Sequence, residues 1–157
     1  MKVYFLRHGD AGDPNTWKGD DAERPLSAEG RERTALEGRA LASMNLKLDA
    51  MLTSPLLRAR QTAALVAEAL KMRVDDDERI VNLNARKLQD IVRDHRDAAA
   101  IMLVGHEPSM SETISDVVGG GRIDLKKGGL ACFEVRDETC ARGRLLWLIP
   151  PKVLAEK

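Results

Sequence analysis

Three short segments carry residues suited to holding and attacking an anion. They are Arg7-His8-Gly9, then Thr53-Ser54-Pro55 with Arg58 one helical turn on, and Gly105-His106-Glu107-Pro108. Arginine presents a planar fork of donors that matches phosphate oxygens. Histidine is a nucleophile when its ring is neutral and a donor when it is protonated. A helix that starts just after a strand adds free N–H groups and a field that favours negative charge. Two arginines, two histidines and two helix starts, if brought together, would bind a phosphoryl group and offer it a nucleophile. Taken singly, each segment has an ordinary structural explanation: a strand-end histidine, a helix-surface cation, a turn.

What must position these residues is legible as alternating elements. Residues 2–7, 48–53 and 101–104 read as strands, and each candidate segment follows one of them. In open α/β sheets, ligands bind beyond the carboxyl ends of the strands, so neighbouring strands would bring the three segments to one edge. Residues 9–25 form a long polar loop. In it Asp10, Asp13, Asn15, Trp17, Lys18 and Arg24 are candidates to shape entry to the site. Trp17 either marks a contact surface or covers the core edge.

A helix is predicted over 28–44, with Ser27 as N-cap and Leu36, Ala40 and Met44 as its apolar stripe. Ser54-Pro55 reads as the hydroxyl cap and first-turn proline of a second helix, with Ala59, Ala63, Val66, Ala67 and Leu70 turned inward. The acidic run Asp75-Asp76-Asp77-Glu78 reads as a solvated turn. A third helix is predicted over 85–96. A fourth opens at Pro108, buries Met110, Ile114, Val117 and Val118, and stops at Gly119-Gly120-Gly121. Residues 130–135 and 145–149 read as late strands, and the tail from Pro150 as loose. The predicted fold is a three-layer α/β/α sandwich, one domain over 1–157, with helices on both faces of a mainly parallel central sheet.

Bulk properties narrow the partners. The 25 basic and 25 acidic residues cancel, which argues against nucleic acid and anionic membrane surfaces. No run reaches the ~20 apolar residues of a membrane span, and the apolar start is too short for a signal-peptide core. Cys132 and Cys140 read as free thiols in a reducing cytoplasm. No CxxC or HExxH spacing points to a metal, and no cofactor is expected.

Four segments in order resemble the histidine phosphatase superfamily, with its phosphoglycerate-mutase-like fold. They are Leu6-Arg7-His8-Gly9, Arg24-Pro25-Leu26-Ser27-Ala28-Glu29-Gly30, Ser54-Pro55-Leu56-Leu57-Arg58-Ala59-Arg60-Gln61-Thr62 and Val104-Gly105-His106. The short chain, His8-Gly9-Asp10-Ala11 and Gly105-His106-Glu107-Pro108 are similar to the SixA-type phosphohistidine phosphatases in particular. The resemblance runs from residue 2 to about 135. It implies that His8 attacks phosphorus and carries the phosphoryl group as a covalent phosphohistidine. It further implies that Arg7, Arg58 and His106 hold the phosphoryl oxygens, and that water then releases inorganic phosphate without a metal.

The general acid that larger relatives use has no clear counterpart. Glu78 and Glu107 are the candidates; an exposed turn residue is the better reading of Glu78, and a helix-N-terminal carboxylate explains Glu107 equally well. General acid help is worth ~10²–10⁴ in rate for an alkoxide leaving group, whereas a protonated phosphohistidine leaves as neutral imidazole. A clamp without an acid therefore fits a P–N substrate. A chain this short also has little room for lid insertions, which suits a phosphorylated side chain on another protein, such as a phosphotransfer domain. The alternatives are a small phosphoester phosphatase acting on a small phosphorylated molecule, and a phospho-ligand binding module with little turnover.

Overall fold

The structure, a computed structural model, describes residues 1–155. Six strands, β1 (Lys2–Arg7), β2 (Ala50–Thr53), β3 (Asp75–Asp76), β4 (Ala100–Gly105), β5 (Leu130–Glu134) and β6 (Arg144–Ile149), form one sheet in the order β3-β2-β4-β1-β5-β6. The pairs β1–β4, β2–β4 and β2–β3 are parallel, while β1–β5 and β5–β6 are antiparallel. The mainly parallel sandwich is as expected. β1 and β4 are flanked on both sides by other strands and covered on both faces, which is why their residues run apolar without alternation. Val3 and Phe5 enter one core cluster with α3 (Ala85–Asp94) and α4 (Ser109–Val118). Tyr4 and Leu6 enter the other, with α1 (Ala28–Ser43), α2 (Leu57–Leu70) and the short α5 (Pro151–Leu154).

Several local expectations need correction. The acidic run is not only a turn: Asp75 and Asp76 pair with β2 as an edge strand, and Asp77 caps the following 3-10 turn by accepting from Arg79 N–H. The tail from Pro150 is not loose as far as residue 155, because Pro151–Leu154 turn helically and bury Leu154. Residues 156–157 lie outside the described residues. Val118 is half-buried.

The largest difference is the face of α1. Its buried residues are Gly30, Thr34, Glu37, Gly38 and Leu41, while Met44 is exposed. Ser27 does cap the helix, accepting from Gly30 N–H. Small residues rather than large apolar ones define the packed face, because the backbones approach closely there. A Cβ on Gly30 would overlap the carbonyl oxygen of Asp10, and one on Gly38 would lie 3.2 Å from Ala69 Cβ. Apolar periodicity cannot detect a face selected for smallness.

Among the described residues, no helix is long and apolar enough to cross a membrane. Cys132 and Cys140 are both free and buried.

Candidate active site

The register of the sheet sets three strand ends level. Arg7 pairs with Gly105 and Thr53 with Val104. His8 N–H continues the ladder to the Gly105 carbonyl at 3.0 Å, and Ser54 N–H to the Val104 carbonyl at 3.0 Å. Because β1, β4 and β2 are neighbours, the side chains that follow them converge. The His8 and His106 rings lie 5.3 Å apart at 54°. His8, Arg58 and His106 are each only 7% exposed, while Arg7 is half-buried.

His8 is oriented by its own strand end. Its Nδ1 lies 2.7 Å from the Gly9 carbonyl, which can only accept, so Nδ1 carries the hydrogen. The Nε2 lone pair is then the reactive position. Burial pushes the ring down to about 3, against the Gly9 hydrogen bond, with His106, Arg58 and Arg7 adding to the effect. Near neutral pH the ring is uncharged and nucleophilic.

His106 is fixed by a different device. Its Nε2 lies 2.7 Å from Ser54 Oγ, and Ser54 Oγ also accepts the Leu56 N–H at 3.2 Å. The hydroxyl can donate its own hydrogen to Nε2, and in that tautomer the imidazole hydrogen sits on Nδ1. That Nδ1 is buried and has no protein partner. Burial and then Arg58 push His106 down to about 4, so it too is neutral. Ser54 and Pro55 do not begin the helix as the sequence suggested: α2 starts at Leu57, and its N-cap residue Leu56 offers no side-chain cap. The hydroxyl serves His106 as well as the Leu56 N–H.

The two arginines are held by their outer nitrogens. Arg7 Nη1 donates to the Leu125 carbonyl at 2.9 Å. Arg58 Nη1 donates to the Asp21 carbonyl at 2.9 Å and its Nη2 to Asp21 Oδ2 at 3.1 Å. In both, Nε is buried and without a partner. Burial lowers both arginines, with the carboxylates of Glu107 and Asp124 opposing it at Arg7 and that of Asp21 at Arg58. Guanidinium starts high enough to stay charged. Thr62 Oγ1 accepts the Gly9 N–H at 3.0 Å and donates to the Arg58 carbonyl at 2.8 Å, tying the strand end at His8 to the helix that carries Arg58.

Arg7 Nε, Arg58 Nε and, in that tautomer, His106 Nδ1–H are thus buried donors without partners, on the three residues whose charges His8 feels. Leaving a buried donor unpaired costs ~1–3 kcal/mol, and more for charged groups. An anion with several acceptor oxygens relieves all three at once.

Gly9 has a reason the sequence did not reveal. A Cβ there would lie 2.5 Å from Thr34 Oγ1 and 3.4 Å from the Gly30 carbonyl, so the glycine lets α1 dock on the end of β1.

Neither acid candidate is hydrogen-bonded into the cluster, although the Glu107 charge is felt at Arg7. Glu78 is exposed in the 3-10 turn after β3, and no hydrogen bond or ion pair among the described residues joins it to the site. Glu107 turns towards α4, where Oε1 accepts the Ser111 N–H at 2.9 Å and Oε2 takes the Ser111 hydroxyl. In the 9–25 loop, Arg24 is buried and donates to the Ala11 carbonyl at 2.8 Å and to Asp21. Asp10 accepts from Ser27 and Lys127. Asp13 accepts the Asn15 N–H, Trp17 is 39% exposed with its indole N–H on the Asp20 carbonyl, and Lys18 is exposed. Asp21, which reaches Arg58 directly, was missed: an acidic residue in a polar loop carries no signal that it will turn inward. Among the described residues, no group of three or more His, Cys, Asp or Glu could hold a metal.

The model of the histidine phosphatase superfamily (branch 1) matches residues 3–118. An uncharacterized protein of Picosynechococcus sp. is 34% identical over 140 residues, covering 83% of this chain and 82% of that protein. The phosphohistidine phosphatase SixA of Escherichia coli K12 is 33% identical over 72 residues, covering 46% of this chain and 43% of that protein. A structure of the protein histidine phosphatase SixA complexed with tungstate superposes with a TM-score of 0.86 at 22% identity, covering 98% of this chain and 99% of that one. At that identity the superposition speaks for the fold.

Proposed function

Because the chain belongs to the histidine phosphatase superfamily, we propose that it is a phosphatase that carries the phosphoryl group on His8, with phosphohistidine on a protein as its substrate. The observation that supports this best is the set of three unpartnered buried donors around a neutral histidine: Arg7 Nε, Arg58 Nε and His106 Nδ1. They are the donors that three phosphoryl oxygens would accept from.

In the first step His8 Nε2 forms a bond to phosphorus. The P–N bond of the substrate breaks, and its electron pair stays on the departing ring. The Gly9 carbonyl, on His8 Nδ1–H, stabilises the positive charge that develops on the nucleophile. The two arginines and His106 stabilise the oxygens in flight, where preorganised donors are worth most. Water then attacks the phosphohistidine of the enzyme, releases inorganic phosphate and restores His8. Both steps break a P–N bond, so neither needs the strong general acid that an alkoxide requires. The exposure of Glu78 and the engagement of Glu107 by Ser111 support this substrate class. The resemblance to the SixA phosphohistidine phosphatase of E. coli supports it as well.

The test is a comparison of turnover on a phosphohistidine peptide and on simple sugar phosphates. A kcat/KM at least about 10²-fold higher for the peptide is expected, the lower bound of what a missing acid costs an ester. A preference for the sugars would sink the P–N assignment.

A further inference from the structure

Asp21 sits where a general acid is not needed but an anion still has consequences. It lies in the 3-10 turn Asp21–Glu23, and its side chain is 57% exposed at the rim of the site, while His8 lies nearly buried. Its carboxylate binds Arg58 Nη2 through Oδ2 and accepts Arg24 Nε through Oδ1 at 2.9 Å. Its backbone carbonyl takes Arg58 Nη1. Arg58 thus stands between Asp21 and the cluster, with Nη1 on the Asp21 carbonyl, Nη2 on its carboxylate and Nε free. The charged and titratable groups that face Asp21 are Arg58 from α2, Arg24 from the segment before α1, and His106 from the β4–α4 connection, which feels its charge. Each carboxylate oxygen accepts one hydrogen bond here and retains a second lone pair.

In-line transfer to His8 requires the leaving group on the opposite side of phosphorus from the nucleophile, towards solvent. The Asp21 carboxylate, exposed and bonded to the outer side of Arg58, is an anion on that solvent side. We propose that Asp21 is a specificity-determining residue, whose carboxylate selects substrates with a cationic leaving group, the protonated imidazole of phosphohistidine, over those that leave as anions. This rests on the phosphatase reading above and extends it to the leaving-group side. The carboxylate moves no proton in the step. The substrate ring arrives with its second nitrogen already protonated, the P–N bond breaks, and the ring leaves as neutral imidazole. Asp21 raises the fraction of bound substrate in that protonated form. It acts oppositely on an aryl or alkyl phosphate, whose leaving oxygen becomes more negative as the P–O bond breaks.

The test measures kcat/KM against pH for the wild type, Asp21→Asn and Asp21→Glu on two substrates, a phosphohistidine peptide and p-nitrophenyl phosphate. An opposite charge nearby moves a pKa by ~1–3 units. Asp21→Asn should therefore move the alkaline limb for the peptide about one pH unit or more towards acid, with about a tenfold loss at pH 8. Loosening Arg58 lowers activity on both substrates alike, so the readout is the ratio: the preference for the peptide over the aryl phosphate should fall about tenfold at pH 8 in Asp21→Asn, and Asp21→Glu should restore the wild-type limb. An equal loss on both substrates, with the limb unmoved, would make Asp21 only a holder of Arg58 and overturn the proposal. Failure of the wild type to turn over the peptide at all would instead overturn the substrate assignment, and is read in the same experiment before any variant is compared.

Discussion

Gly9 separates two groups of buried polar atoms that lack hydrogen-bond partners, and they behave differently. On one side lie Arg7 Nε, Arg58 Nε and His106 Nδ1, and on the other lie Thr34 Oγ1 and Glu37 Oε2 of α1. The second group can relieve itself. Burial pushes Glu37 up to about 8, so near neutral pH it holds a proton and the buried charge disappears. Gly128 makes room for it, since a Cβ there would overlap Glu37 Oε1. The first group has no such escape. Guanidinium does not give up its proton in a protein, and its donors stay unsatisfied until an anion arrives. Buried polarity that a proton can neutralise belongs to the scaffold, whereas buried polarity that only a ligand can satisfy marks the site.

The strongest way to break this contrast is to delete the nucleophile. His8→Ala should lower kcat by about 10³-fold or more, whereas Glu37→Gln should leave kcat within about twofold. Steady-state turnover of a phosphohistidine peptide by both variants checks this, and comparable losses would erase the distinction between the two groups.

Next comes the clamp. Arg58→Ala should cost ~10²–10³ in kcat, as removal of one preorganised donor does elsewhere. Inorganic phosphate should raise the Tm of the wild type in a concentration-dependent way. That increase should shrink sharply in Arg58→Ala and persist in Glu37→Gln. Thermal melts across a phosphate titration measure it, and equal shifts in all three proteins would refute the clamp.

The two groups also tilt stability in opposite directions with pH. His8 and His106 are held below the ordinary 6.5, at about 3 and about 4. The unfolded chain binds more protons in that interval, so stability is full above pH 6.5 and falls as pH drops towards these values. Glu37 is held above the ordinary 4.5. The folded chain then binds more protons, so stability is full below pH 4.5 and is lost as pH rises through about 8. Glu37→Gln should accordingly gain several degrees in Tm over the wild type at pH 9 and little at pH 5, at ~2–4 °C per kcal/mol for a chain of this size. Melts at the two pH values decide it, and a gain of the same size at both would contradict the assignment.

The smallest expected effect sharpens the scaffold side. Thr34 Oγ1 has no partner, so Thr34→Val should be neutral or stabilising by up to about 1 kcal/mol. Thr62 Oγ1 has two, so Thr62→Val should destabilise by ~1–3 kcal/mol and also slow turnover by loosening Gly9 from Arg58. Urea unfolding of the two variants side by side tests this difference, and equal costs would contradict the bonding assigned to Thr62.

How much of this was legible follows from what each feature depends on. The strand-end placement of His8, Ser54 and His106 was readable, because apolar runs ending in polar residues are local. The convergence of Arg7, Arg58 and His106 needed the strand order β2-β4-β1, which the alternation of elements left open because it gives a parallel sheet without its order. The face of α1 was not readable, since Gly30, Thr34 and Gly38 are buried for their size and not for apolarity. The role of Ser54 was misread because a hydroxyl before a proline looks like a cap, whereas its partner His106 lies 52 residues away. Asp21 was invisible for the same reason, being joined to Arg58 across 37 residues of chain.

The central claim is a covalent phosphoryl group on His8, and rapid quench tests it most directly. The enzyme would be mixed with a ³²P-labelled phosphohistidine peptide, quenched in alkali, digested and mapped. The account expects acid-labile, alkali-stable label on the peptide containing His8, formed and lost at rates that match turnover, and none in His8→Ala. Label on any other residue, or full turnover by His8→Ala, would contradict it.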